Sequence, residues 1–292
     1  MTERQLVRPR LPQSVPIGHA LAMTSDNGPP PTLATRAIAP PTLPLLGLDF
    51  ACLDLAAAAA AIAARPAGAP FAYVVTPNAD HLVRLDGDVA LRAAYRGAAL
   101  CLLDSRVVAA GARLLGLPAP PVVTGSDLTA RLLARHLQPG ERITIVGLSP
   151  AWLPALAARL GVAPPAHYDP PMDFDCDPDA FAAVVDFVRA HPARLVFLAV
   201  GSPRQERLAA AIAAAGDATG TGLCVGASLE FLAGARRRAP RAMQRLGLEW
   251  LFRLAAEPRR LARRYLVDSP RIVTLLWRQR RAARAPRSAA GA

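Results

Sequence analysis

A chain of 292 residues, 52% of them hydrophobic and 19% charged, belongs to the ordinary globular class and can build one large core or two small ones. Its basic side chains are all arginine, and they outnumber the carboxylates to give a net charge of +12. From Arg236 onward sixteen arginines face only Glu249, Glu257 and Asp268, so that segment carries +13, everything before it sums to −1, and basicity is excluded as a property of the body.

Residues 1–44 hold nine of the 29 prolines, a Gly-Pro-Pro-Pro run from Gly28 to Pro31 and no apolar periodicity, which reads as a flexible lead-in. No apolar stretch of about 7 to 15 residues follows the early charges, so a signal peptide is not expected and the protein is expected in the cytoplasm. The longest apolar run, Leu55 to Ala64, is mostly alanine and roughly half the length of a membrane span. Ile272 to Trp277 is shorter, so no span is expected. Cys52, Cys101, Cys176 and Cys224 form no C-x-x-C pair and read as reduced cysteines in apolar packing.

Five short apolar runs come next in the chain: FAYVVT (71–76), ALCLLD (99–104), RITIVG (142–147), RLVFLAV (194–200) and GLCVGA (222–227). Each leads through a turn into a helical pattern, and near-continuous apolar strands alternating with helices predict a mostly parallel sheet covered on both faces. The fold class is therefore α/β, a doubly wound Rossmann-like body over 45–235. A basic helical appendage over 236–283 and a disordered tail over 284–292 complete the expected layout.

Ligands of such sheets sit beyond the carboxyl ends of the strands. The sequences there are TPNAD, DSR, GLSP, GSPRQE and GAS, with VTGSDL (123–128) as a further helix start. Gly125, Ser126, Gly147, Gly201 and Gly226 are expected to let backbone amides approach a phosphorylated ligand. Ser126 or Asp127 is expected to cap its helix, and Pro203 to open the next one. Neither G-x-G-x-x-G nor G-x-x-x-x-G-K-[ST] occurs, which excludes a dinucleotide dehydrogenase and a P-loop NTPase; G-x-S-x-G is missing too. Asp173 and Asp175 have D-x-D spacing but follow two prolines in a loop, so no metal site is expected.

Four segments in order, TPNADHLVRLDGDVALRAAYRGAALCLLDSRVV, LLGLPAPPVVTGSDL, VGSPRQE and VGASLEFLAGARRRAPRAMQRLGLEWLFRLAAEPRRLARRYL, resemble the WecG/TagA/CpsF family of bacterial glycosyltransferases over about residues 45–267. The resemblance implies inverting transfer of a sugar from a nucleotide-sugar, usually a UDP-sugar, to a polyprenyl-diphosphate-linked sugar at the cytoplasmic membrane surface. It implies no metal or other cofactor. Such transfer needs a base for the acceptor hydroxyl and a cation for the departing diphosphate. Asp104 ends an apolar strand at the crevice and matches the family's base; His81, titrating near neutral pH, is the rival. Thr76 and Asn78 match the family's polar pair, Gln205 its donor-contacting glutamine, and Arg253, Arg260 and Arg263 the appendage arginines of the nucleotide-sugar site. Where similar proteins carry arginine before V-T-G, this chain has Val122. The loop 165–177 is expected to face the acceptor.

Pro258 can start a helix but not continue one, which predicts two or three short helices in the appendage. From Arg259 onward Arg259, Arg260, Arg263 and Arg264 would share an arc of roughly 140°, with Leu261, Ala262, Tyr265 and Leu266 on the remainder. Basic groups near an anionic leaflet contribute on the order of 1 kcal/mol each. An anionic membrane surface is thus the expected partner, with Trp250, Phe252 and Trp277 entering the headgroups. The alternative, an Arg-rich α/β nucleic-acid-binding protein, lacks a platform of stacking aromatics, and no nucleic acid is expected as partner.

Overall fold

The computed structural model describes residues 40–161 and 164–284. Positions 1–39 of the expected lead-in and 285–292 of the expected tail lie outside the described residues. The last part of the lead-in is instead a strand. β1 (Thr42–Leu45) and β2 (Leu48–Ala51) form an antiparallel hairpin whose turn residues Leu46 and Gly47 both have positive φ, 52° and 78°. That is the turn geometry whose twist matches paired strands. Pro41 and Pro44 disguise β1 in the sequence, because proline reads as a strand breaker except at edges. Leu45, Leu48 and Phe50 bury its apolar face.

The main sheet comprises β3 (Ala72–Val75), β4 (Leu100–Cys101), β5 (Thr144–Val146), β6 (Ala166–Tyr168), β7 (Leu195–Leu198) and β8 (Thr221–Cys224). Their order is β4-β3-β8-β7-β5-β6, and every pairing is parallel. Five are the apolar runs of the sequence; β6 is not, because its Ala-His-Tyr is only half-buried at the sheet edge. It occupies part of the stretch 165–177 expected to face an acceptor, so that stretch is not all loop, and it lies at the opposite edge of the sheet from β4.

Alternating residues feed two cores. Tyr73, Val75, Val196 and Leu198 face one, and Val74, Leu195, Phe197 and Leu223 the other. This is the period-2 consequence of strands buried on both faces. Helix starts are fixed by side chains that accept backbone amides: Asp54, Asn78, Asp88, Ser105, Thr124 and Asp177.

The appendage runs as helices Arg241–Arg245, Glu249–Ala256 and Pro258–Arg263, a π-helical turn Arg264–Asp268 and a last helix Arg271–Arg284. Pro258 opens its helix as expected. The last helix is anchored to the body: Ile272 and Leu276, 4% and 2% exposed, join the first core, and a Cβ on Gly111 would lie 3.0 Å from Leu276 Cδ1. Gln279 Oε1 also accepts the Leu46 amide of the hairpin at 2.8 Å. Leu276→Ala is expected to lower stability by about 2–4 kcal/mol, read as a lower denaturation midpoint in urea. An unchanged midpoint would mean that the helix is not held there.

Candidate active site

Beyond the carboxyl ends of β3 and β4 lies a cavity of about 350 Å³. The body supplies one wall, with Asn78, Asp104, Arg106, Thr124, Ser126 and Asp127. The appendage supplies the other, with Arg238, Glu249, Trp250, Arg253, Tyr265 and Ile272.

Asp104 lies just beyond β4, and Ser105 rather than Asp104 caps the helix Arg106–Leu114, its Oγ accepting from Val108 N at 3.2 Å. The Asp104 carboxyl is thereby left to the cavity, where its Oδ2 accepts the Gly125 amide at 3.0 Å. Burial pushes its pKa up to about 7; the Gly125 amide and Arg253 oppose the rise, and Glu249 and Asp127 add to it. A carboxyl balanced near neutral pH is suited to exchanging a proton. Glycine at position 125 permits this closeness, since a Cβ there would stand 2.9 Å from Thr76 Oγ1 and 3.7 Å from Asp104 Oδ2.

The helix Gly125–Arg135 is capped by Thr124, not by Ser126 or Asp127. Thr124 Oγ1 accepts from Asp127 N at 3.1 Å and donates to Asp127 Oδ2 at 2.8 Å, so the cap precedes the expected residues and its hydroxyl is held by Asp127. Ser126 reaches the cavity wall, with its hydroxyl 3.3 Å from Ser228 Oγ.

Several expected contacts are spent inside the protein. Thr76 is buried behind the wall and donates to Cys224 O at 3.3 Å, joining the ends of β3 and β8. Asn78 lines the cavity, but its Oδ1 accepts the amides of Asp80 and His81. His81 lies outside the cavity wall, between Asn78 Nδ2 (3.4 Å) and the Tyr95 hydroxyl (3.1 Å). Burial, with Arg264 and Arg84 nearby, holds its imidazole well below the usual range and therefore neutral.

Gln205, 2% exposed, does not face the crevice: its Oε1 accepts the Gly226 amide at 2.9 Å and its Nε2 donates to Glu206 Oε1 at 2.8 Å. Burial raises the Glu206 carboxyl above its usual range. The Gly147 amide donates to Tyr168 O at 2.8 Å, and a Cβ there would press on Ala199 at 2.9 Å. Gly147, Gly201 and Gly226 thus shape turns and line no part of the cavity, and the Gly125 amide serves Asp104, so the expected cradle of glycine amides is not formed.

Of the three expected arginines, Arg253 lines the cavity. Its guanidinium lies 5.2 Å from the Phe231 ring centroid and donates to Glu249 Oε1 at 2.6 Å. Arg260 lines a neighbouring cleft with Arg84, Arg264 and Arg271 and pairs with Glu257 at 2.5 Å. Arg263 is exposed and lines neither. Arg264 turns inward in its place, 3.1 Å from the buried Asp80 that Arg84 also holds. Leu261, 3% exposed, marks the buried face of this helix; Arg264 stands about 60° from it and Arg263 about 160°, so the expected arc of four arginines is divided between the body and solvent.

Val122 bridges to Leu103 and packs on the core. The cavity's cations come instead from Arg106, Arg238 and Arg253. Arg106 stands in the DSR stretch noted at a strand end, whereas nothing in the local pattern marks Arg238. Trp250 and Tyr265, with ring centroids 6.0 Å apart, also line the cavity, so Trp250 is not free to enter headgroups. The sequence model of the glycosyl transferase WecG/TagA/CpsF family matches residues 43–286, most of the chain.

Proposed function

Since the chain belongs to the WecG/TagA/CpsF family of glycosyltransferases, we propose that it moves a sugar from a UDP-sugar to a polyprenyl-diphosphate-linked sugar, with inversion, during synthesis of a cell-surface polysaccharide. The observation that carries the reading is a carboxyl with a pKa of about 7 sharing one cavity with three guanidinium groups.

The acceptor hydroxyl attacks the anomeric carbon from the face opposite the diphosphate. As the new C–O bond forms, the bond to the diphosphate breaks and the hydroxyl proton passes to the Asp104 carboxylate. A single displacement of this kind inverts the centre. Charge developing on the leaving diphosphate meets Arg253, Arg106 and Arg238, whose bidentate forks suit phosphate oxygens. Asp127 and Glu249 already hold arginines, at 2.7 Å and 2.6 Å, which supports guanidinium rather than metal stabilisation of the leaving group. Transfer from a panel of UDP-sugars to a short-chain polyprenyl-diphosphate sugar tests the reading. The rate should rise with pH through about 7 as Asp104 ionises.

The acceptor's lipid requires work at a membrane surface, the inner face in this reading. No helix among the described residues is long and apolar enough to cross a bilayer. The appendage nevertheless exposes Leu246, Leu266, Val267, Val273 and Trp277 among its arginines, and Arg281 stacks over Trp277 at 4.5 Å. Apolar side chains ringed by cations suit an anionic interface. Replacing Leu266 and Trp277 together by serine is expected to reduce co-sedimentation with phosphatidylglycerol vesicles by about tenfold, leaving UDP affinity unchanged, since neither lines the cavity. Undiminished sedimentation would remove this face from the docking surface.

A further inference from the structure

One carboxylate of the cavity has no part in the transfer as written. Glu249 opens the helix Glu249–Ala256, and Arg253 one turn later donates Nη2 to its Oε1 at 2.6 Å. The guanidinium is also held against the Phe231 ring of the body. Fixed on two sides, it retains N–H donors for a ligand. The other carboxylates nearby are matched: Asp127 by Arg238 at 2.7 Å, Asp80 by Arg84 and Arg264. Asp104 forms no ion pair among the described residues and is held by the Gly125 amide.

We propose that Glu249 is a positioning residue: it keeps Arg253 at the cavity wall and prevents that guanidinium from pairing with Asp104. The proposal rests on the reading of the cavity as the donor site, since the anion that Arg253 awaits is the donor's diphosphate. An Arg253–Asp104 pair in the empty site would weaken the base and block the phosphate contact together. With Glu249 as partner, Arg253 can turn its remaining donors to the diphosphate without first leaving Asp104.

The charged groups facing Asp104 are Arg253 and Glu249 from the appendage helix and Asp127 from the helix after Thr124; Arg106 and Arg238 stand further along the walls. Removing the Glu249 charge leaves the attraction of Arg253 unopposed, so the apparent pKa of Asp104 should fall. Glu249→Gln keeps an acceptor for Arg253 and loses only the charge. Glu249→Ala loses both.

The test combines two readings on the intact chain. Carboxyl 13C resonances, assigned with Asp104→Asn, follow the ionisation of Asp104, and calorimetry follows UDP. Both Glu249 variants should lower the Asp104 midpoint by about one pH unit. Glu249→Ala should weaken UDP by about fivefold or more and Glu249→Gln by less than about twofold. Glu249→Ala/Arg253→Ala should bind UDP no more weakly than Arg253→Ala alone, because a residue acting through another adds nothing once that other is gone. Additive losses, or an unmoved Asp104 midpoint in the isosteric Glu249→Gln, would overturn the proposal. Failure of the unmodified protein to bind UDP would count against the donor reading instead, and the Asp104 midpoint in Glu249→Gln would still decide the role of Glu249.

Discussion

Asp104→Asn is expected to lower sugar transfer by about three orders of magnitude while UDP binding survives, and to make the protein more stable at pH 8. The amide cannot take a proton from the acceptor hydroxyl, but its Oδ1 can still accept the Gly125 amide, so the wall keeps its shape. Stability follows from the raised pKa of Asp104. With a folded value of about 7 against an unfolded value near 3.9, the native state binds the proton more tightly than the unfolded chain. Stability from this group is therefore full below about pH 4, falls as pH rises between about 4 and 7, and stays lost above. The upper bound on the loss is about 4 kcal/mol, and contact with the open cavity reduces it. Asparagine removes the titration, so the variant's melting temperature should exceed that of the unmodified protein at pH 8 and approach it at pH 5. A less stable variant at pH 8, or one that still transfers sugar, would end the assignment of Asp104 as the base.

Cutting the chain after Gly234 should abolish transfer and vesicle binding while the parallel sheet survives. The cut removes Arg238 and Arg253 and the whole appendage wall of the cavity, so a loss beyond about 10³-fold is expected. It also removes Leu261, Ile272 and Leu276, which are buried in the intact protein, and uncovers helices Ala79–Leu85 and Arg106–Leu114 where the last helix packs. The body should therefore melt at a lower temperature, with the far-ultraviolet signature of an α/β fold retained, since its two strand-fed cores lie almost entirely before the cut. Vesicle binding by the shortened chain would place the docking surface on the body and refute the membrane role of the appendage.

The doubly wound sheet was readable because strands buried on both faces need apolar runs such as LVFL and TIV, whatever the details of packing. β6 carries no such run, and β1 carries prolines, so both pass as loop. Asp104 was readable from its place at the end of a strand. Gln205 was legible as a residue type at the right turn, but its direction is set by Glu206 and the Gly226 amide, partners one and 21 residues away that only the folded chain brings together. Helical periodicity put Arg263 and Arg264 on one face. They stand about 100° apart on the helix, and only the packing of Leu261 on the body shows that Arg264 goes to Asp80 and Arg263 to solvent. The cavity's second wall was legible in outline from the family resemblance, which pointed to appendage arginines, but tertiary packing decides that Arg253 and Arg238 line it and Arg263 does not.

The bond between Gln279 and the Leu46 amide spans 233 positions of the chain. During synthesis the hairpin leaves the ribosome long before its partner exists, and no order of local folding can hasten their meeting. A nascent polypeptide can pair its sheet strands as they emerge, yet the hairpin stays untied until the helix Arg271–Arg284 has been made. A ribosome stalled before codon 279 would therefore hold a body with that seam still open.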